Sequence, residues 1–192
     1  MASILRFDNW QNSDGTSIAT TDASGNISFA GAGAGKILQV VSTTKTDTFS
    51  ASLAGFASTA VTGLTATITP SSTASKILVI STVVAAESWG PTGSSAYSLT
   101  RDGTPIAQPA SPGSRLPLTT LNYSVTGATV IQGGTAVYLD SPASTSSLIY
   151  GVSLFNTLSS TETVYVNRAD SDTDAATRRR TVSTITVMEV SA

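Results

Sequence analysis

The sequence predicts an all-β fold, a sandwich of many short strands. Three observations predict it. Apolar residues alternate with Ser and Thr instead of recurring at helical spacing. β-branched residues dominate the alternating stretches. Tight-turn pairs such as Asp14-Gly15 and Asp102-Gly103 punctuate them.

Residues 1–35 come first. Their apolar words are short: Ile4-Leu5, Ile18 and Ile27-Ser28-Phe29, separated by Asp14-Gly15 and Ser24-Gly25-Asn26. Two or three strands of about five residues are not stable alone. The segment therefore needs a partner. Packed with the same segment of symmetry mates, it would bury Ile4, Leu5, Phe7, Ile18, Ile27 and Phe29 jointly, with Gly31-Ala32-Gly33-Ala34-Gly35 as a narrow neck. An edge strand pair on its own domain, followed by a flexible linker, is the alternative.

From Lys36 onward, strands are expected at 36–50, 62–70, 76–88, 95–101, 104–108, 119–131, 135–140, 147–158, 162–168 and 181–190. In 64–69, Leu64, Ala66 and Ile68 alternate with threonines, which sets a core face and a water face. Lys76 to Val84 is apolar on both faces, so it should be a central strand covered on two sides, with a neighbouring subunit as one cover. Ile77 and Val79 are its candidate subunit contacts. Tyr97 to Ile106 reads as a hairpin turned at Asp102-Gly103. Leu148 to Phe155 is another covered strand, and Thr161 to Asn167 returns from it. Long loops are expected at 108–117, which holds three of the seven prolines, and at 169–180. Eight to ten such strands fit a jelly-roll-like head over residues 36–192.

Composition narrows the chemistry. Charged residues are 11% of the 192, against roughly 25% in an average domain. A surface so poor in charge suits a chain that is covered inside an assembly. Net charge is −2, so there is no basic field for nucleic acid. The absence of Cys removes disulfides and thiolate metal sites, and the absence of His removes the commonest general base and metal ligand. Ile77 to Ala86 is too short an apolar run to span a bilayer, which takes about 20 residues. The N-terminal residues lack the apolar run of a signal peptide.

Four groups of side chains are candidates for function. Asp170, Asp172 and Asp174 are spaced like the start of a calcium loop, but Ala175 and Thr181 stand where an EF-hand needs Gly and Glu. No metal or other cofactor is expected; a solvated acidic loop is the plain reading, a looser calcium site the other. Arg178, Arg179 and Arg180 follow at once and suit a subunit contact, with glycan or nucleic-acid binding or a solvated loop as alternatives. Trp89, in Glu87-Ser88-Trp89-Gly90-Pro91, either stacks on a sugar ring or closes the end of the sandwich. Catalysis would need paired carboxylates in a groove. Glu87, Glu162 and Glu189 are scattered, so no enzyme activity is expected.

Four stretches, in order, resemble one family. They are Ser3-Ile4-Leu5-Arg6-Phe7-Asp8-Asn9-Trp10-Gln11-Asn12 with Asp22-Ala23-Ser24-Gly25-Asn26-Ile27, then Gly35 to Val41 with Thr44 to Phe49, then Ile68 to Val79, and the closing Ser183 to Val190. Together they resemble small tail-fibre and virion-appendage proteins of tailed bacteriophages of the marine and cyanobacterial type. The resemblance implies a trimeric, β-rich virion structural protein with an N-terminal attachment part, in which Ile4, Leu5, Phe7 and Trp10 would meet the virion. Its partners would be further copies and other virion proteins of the tail, baseplate or capsid. A head that grips host-surface carbohydrate is the rival reading.

Overall fold

The computed structural model describes residues 9–25, 27–29, 35–87, 94–110, 113–123 and 131–192. Among them there are strands and no helix. Three short strands, β1 (Asn9–Gln11), β2 (Ser17–Thr21) and β3 (Ile27–Phe29), form an antiparallel meander of their own. Their turns hold Gly15 and Gly25 at positive φ, where Gly carries no steric penalty.

The rest of the described chain makes two antiparallel sheets, packed as sandwich-like layers. Sheet I contains β4 (Ile37–Lys45), β14 (Ser183–Val190), β7 (Lys76–Glu87), β13 (Glu162–Val166) and β5 (Phe49–Leu53), in that order. The twelve-residue β7 is its spine. One side of β7 pairs with β14 along its first half and with β13 at its end; the other pairs along Ile77 to Ala85 with β11 (Gln132–Asp140). Sheet II runs β10 (Thr120–Tyr123), β8 (Ser94–Arg101), β12 (Leu148–Phe155) and β6 (Ser58–Ile68), with β9 (Thr104–Ile106) beside β8.

Alternation decides what lies between the layers. Sheet I sends Ile77, Val79, Val83, Ile185 and Val187 inward, and sheet II sends Leu64, Ala66, Ile68, Tyr97, Leu99, Tyr150, Val152 and Leu154. The expected core positions Leu64, Ala66 and Ile68 are buried, with Thr65 and Thr67 exposed. Polar side chains tie the layers at chosen points. The Tyr97 hydroxyl on β8 shares a hydrogen bond of 3.1 Å with Ser81 Oγ on β7 and donates to Gly134 O on β11 at 3.1 Å. Thr43 Oγ1 and Gln39 Nε2 on β4 donate to Thr65 O of β6 and Thr69 O just after it, each at 2.7 Å. Carbonyls at the open edge of β6 are thus satisfied by side chains of the facing sheet.

Most expected strands are present, with two differences. The stretch 36–50 is two strands, β4 and β5, and β5 pairs with β13 instead of β4. The corner at residues 46–48 is held by the buried Asn167, whose Nδ2 donates to Lys45 O at 2.8 Å and Asp47 O at 2.9 Å. In the stretch expected at 119–131, β10 ends at Tyr123, and residues 124–130 lie outside the described residues. The hairpin at Asp102-Gly103 forms as expected, with φ of 50° and 79°, the type I′ signature.

Candidate functional site

Each sheet of the sandwich has an outward face. On sheet II the outward residues include Thr65, Thr67, Ser98, Thr100, Gly151 and Ser153, with Ile149 on β12 and Leu121 on β10 exposed among them. The loop after β9 lies against part of this face, where Gln108 Nε2 donates to Ser98 Oγ at 3.2 Å. On sheet I the outward residues form rows across four strands. Val40, Met188, Leu78 and Leu139 stand in register; so do Ser42, Thr186, Ile80 and Val137; so do Thr44, Thr184, Thr82 and Thr135. Four of the six hydroxyls within these rows pair: Ser42 meets Thr186 at 2.8 Å, and Thr82 meets Thr135 at 3.1 Å. None of these twelve side chains is charged.

This face is also open. Val137 is 65% and Val40 55% exposed, Leu38 and Leu139 are exposed as well, and Leu78 and Ile80 are half-buried. Lys76, at the first position of β7, is the one charge at its border among the described residues of these strands. The apolar row is concentrated at the end of the sheet where β7 begins.

Buried polar groups are spent inside the fold. Glu189 on β14, 1% exposed, accepts from Ser71 N at 2.7 Å, Ser71 Oγ at 2.6 Å and Gln39 Nε2 at 2.6 Å. Burial pushes its carboxyl up, but hydrogen bonds from Ser71, Gln39 and Ser75 together outweigh that and hold it at about 2. The buried Asp140 accepts from Arg101 Nη1 at 2.5 Å and from the Tyr150 hydroxyl at 2.7 Å, joining β11, β8 and β12. Burial first, then Asp140, push the Tyr150 hydroxyl up. Asn156 Nδ2 donates to Leu53 O, Ala54 O and Ser160 O. These contacts close turns and pin strands.

The expected site residues fall into three groups. Ile77 and Val79, expected at a subunit contact, are fully buried in the core of their own chain. The correction is one of alternation: their neighbours Leu78 and Ile80 face outward. Because β7 is apolar at every position from 77 to 80, its own sequence gives no parity; the alternating β14 sets it, with Val187 opposite Val79 inside and Thr186 opposite Ile80 outside.

The Asp and Arg residues of the loop after β13 come together within the chain. Arg180 forks onto Asp172 at 2.8 and 2.6 Å, holding the Asp172 carboxyl below its ordinary range. The Tyr165 hydroxyl donates to Asp170 at 2.9 Å, and Arg168 lies over the Tyr165 ring, 4.8 Å from its centre. Arg168 completes the cluster at 3.7 Å from Asp172. Arg178 is half-buried, and Arg179 and Asp174 are exposed. Among the described residues no cluster of acidic side chains is arranged to hold a metal ion.

At the N-terminus, Trp10 is exposed on the β1–β3 meander, across from Ala19. Ile4, Leu5, Phe7 and Trp89 lie outside the described residues, as does the neck from residue 31 to 34. Compared with protein-family models and with curated proteins, the chain matches none.

Proposed function

We propose that this chain is a structural protein of a tailed-bacteriophage virion, a tail-fibre or capsid fibre/decoration protein. It works as a homotrimer, by assembly and multivalent display, and not by catalysis. The observation that carries the reading is the outward face of sheet I, twelve uncharged side chains in three rows with Val40, Val137 and Leu139 exposed. Contiguous apolar surface of this kind marks a contact with another protein. The resemblance of the ordered motifs supplies the virion context.

The head reads as a jelly roll. What supports this is the strand order: β5-β13-β7-β11 in one layer opposite β6-β12-β8-β10 in the other, with β4 and β14 added to the first. Double-sheet folds of this order recur in viral shells and lectins. Residues 1–35 would be the attachment part and 36–192 the displayed head.

The test is the composition of the particle. An antibody raised against the purified chain should label washed phage particles from the source culture at a defined position. A chain lacking residues 1–35 should keep its β circular-dichroism spectrum but be missing from particles. If washed particles never contain the full chain, the virion reading fails. If the truncated chain still incorporates, the attachment role of residues 1–35 fails.

A further inference from the structure

We infer that the outward face of sheet I is occupied by two further copies of this same chain, with the three sheets facing a common axis. The inference rests on the assembly reading above and adds how the three copies meet: face toward the axis, with β4 of one copy beside β11 of the next.

Charge comes first. In a closed symmetric assembly the same patch is repeated around the axis, so any charge on it meets its own copies. The three rows carry no charge, and two hydroxyl pairs within them, Ser42 with Thr186 and Thr82 with Thr135, are hydrogen-bonded. Such a face can meet itself without repulsion and without stranding a charged group.

Size comes next. Four strands at about 4.8 Å spacing give a face roughly 19 Å wide, and three side-chain rows at about 6.8 Å make it roughly 20 Å long. One face is then about 390 Å², and three together about 1,200 Å², shared among three pairwise contacts. Three faces of that width close a triangle whose centre lies about 5.5 Å from each sheet, half the roughly 10 Å spacing of sheets packed face to face. The side chains of three copies therefore fill the space. Four copies would leave each sheet about 10 Å from the axis and a hollow core.

The edges separate three copies from two. β4 and β11 are the outer strands of this four-stranded face. Each is nine residues long, without proline and without charge until its last residue, Lys45 or Asp140. Such edges are normally protected. A two-fold stack leaves both open. A three-sided arrangement brings β4 of one copy beside β11 of the next. In the sheet, β4 runs parallel to β7 and β11 antiparallel to it, so the neighbouring edges meet in opposite directions.

The experiment places lysines on the face where they are exposed in a single chain. Val40→Lys with Val137→Lys would set six ammonium groups toward the axis. Thr65→Lys with Thr67→Lys, on the outward face of sheet II, is the control. Sedimentation should give three times the 19.5 kDa chain for the wild type and the control, and a folded 19.5 kDa monomer for the face variant. If all three are trimers, the interface lies elsewhere and this inference falls while the assembly reading stands. A wild type that is monomeric at micromolar concentration overturns both. A dimer or tetramer dissociated by the face lysines overturns the three-sided closure. Should the face variant fail to fold, a single Val137→Cys in this cysteine-free chain decides. Its thiol should resist a maleimide in the assembled protein, while Thr67→Cys reacts freely; equal reaction overturns the inference.

Discussion

The Glu189 carboxyl is bound by Ser71, Gln39 and Ser75, all neutral, and by no cation among the described residues. It ties the loop between β6 and β7 to the last strand. Replacing it with Gln keeps the shape but puts an amide N–H toward a donor. Ser71 N cannot turn away, so the amide oxygen must stay there and Gln39 must flip, losing its bond to Thr69 O. Glu189→Gln should cost about 1–3 kcal/mol at neutral pH. The folded pKa of about 2 lies below the ordinary 4.5, so the stabilisation is complete above about pH 4.5 and fades as pH falls toward 2. Urea unfolding of wild type and variant at pH 7 and at pH 2.5 checks this. A gap that persists undiminished at pH 2.5 would contradict it. None of this was legible in the sequence, where Glu189 is one of three scattered glutamates. Burial and four donors became visible only once β4, β14 and the loop after β6 were adjacent.

At the scale of elements, glycines separate local from long-range constraint. Gly103 sits at φ 79° in the β8–β9 turn with open space around it, so Gly103→Ala should cost only the backbone strain, about 1 kcal/mol. Gly55 is different. A Cβ there would lie 2.2 Å from Ser159 O, in a loop pinned by Phe56 N to Leu158 O and Asn156 N to Ala57 O. Gly55→Ala should cost up to about 3 kcal/mol, because two backbones must part. Denaturant midpoints should rank the two; the reverse order would show that the loop yields easily. The turn at Gly103 was readable because Asp-Gly between alternating residues is a local signal. Gly55, and the break between β4 and β5, were not, since the constraint comes from Ser159 and Asn167, more than 100 residues away. The same distinction governs the candidate face. The two-sided apolarity of β7 was readable, but which parity faces out was set by distant β11 and β14.

For the whole molecule, two surfaces compete for the proposed subunit contact. The Arg178 to Arg180 loop predicts an interface held by charge, whereas the sheet I face predicts one held by apolar burial. Arg180 already forks onto Asp172 of its own chain, and Arg168 shares that carboxylate. Arg180 is 58% exposed, so water screens this pair and it adds little to the fold. Replacing Arg178, Arg179 and Arg180 by Ser should therefore lower the melting temperature slightly and leave the trimer's dissociation midpoint unchanged. Salt sharpens the contrast. At 1 M sodium chloride the screening length shrinks to about 3 Å, which weakens exposed charge pairs. An apolar interface is not weakened this way, and sulfate should strengthen it by exclusion from the surface. The expected result is a trimer that persists in 1 M sodium chloride and dissociates at lower concentration in sulfate than without it. If sodium chloride instead splits the trimer, and the triple Ser variant behaves in low salt as the wild type does in high salt, the arginine loop holds the subunits together and the sheet face does not.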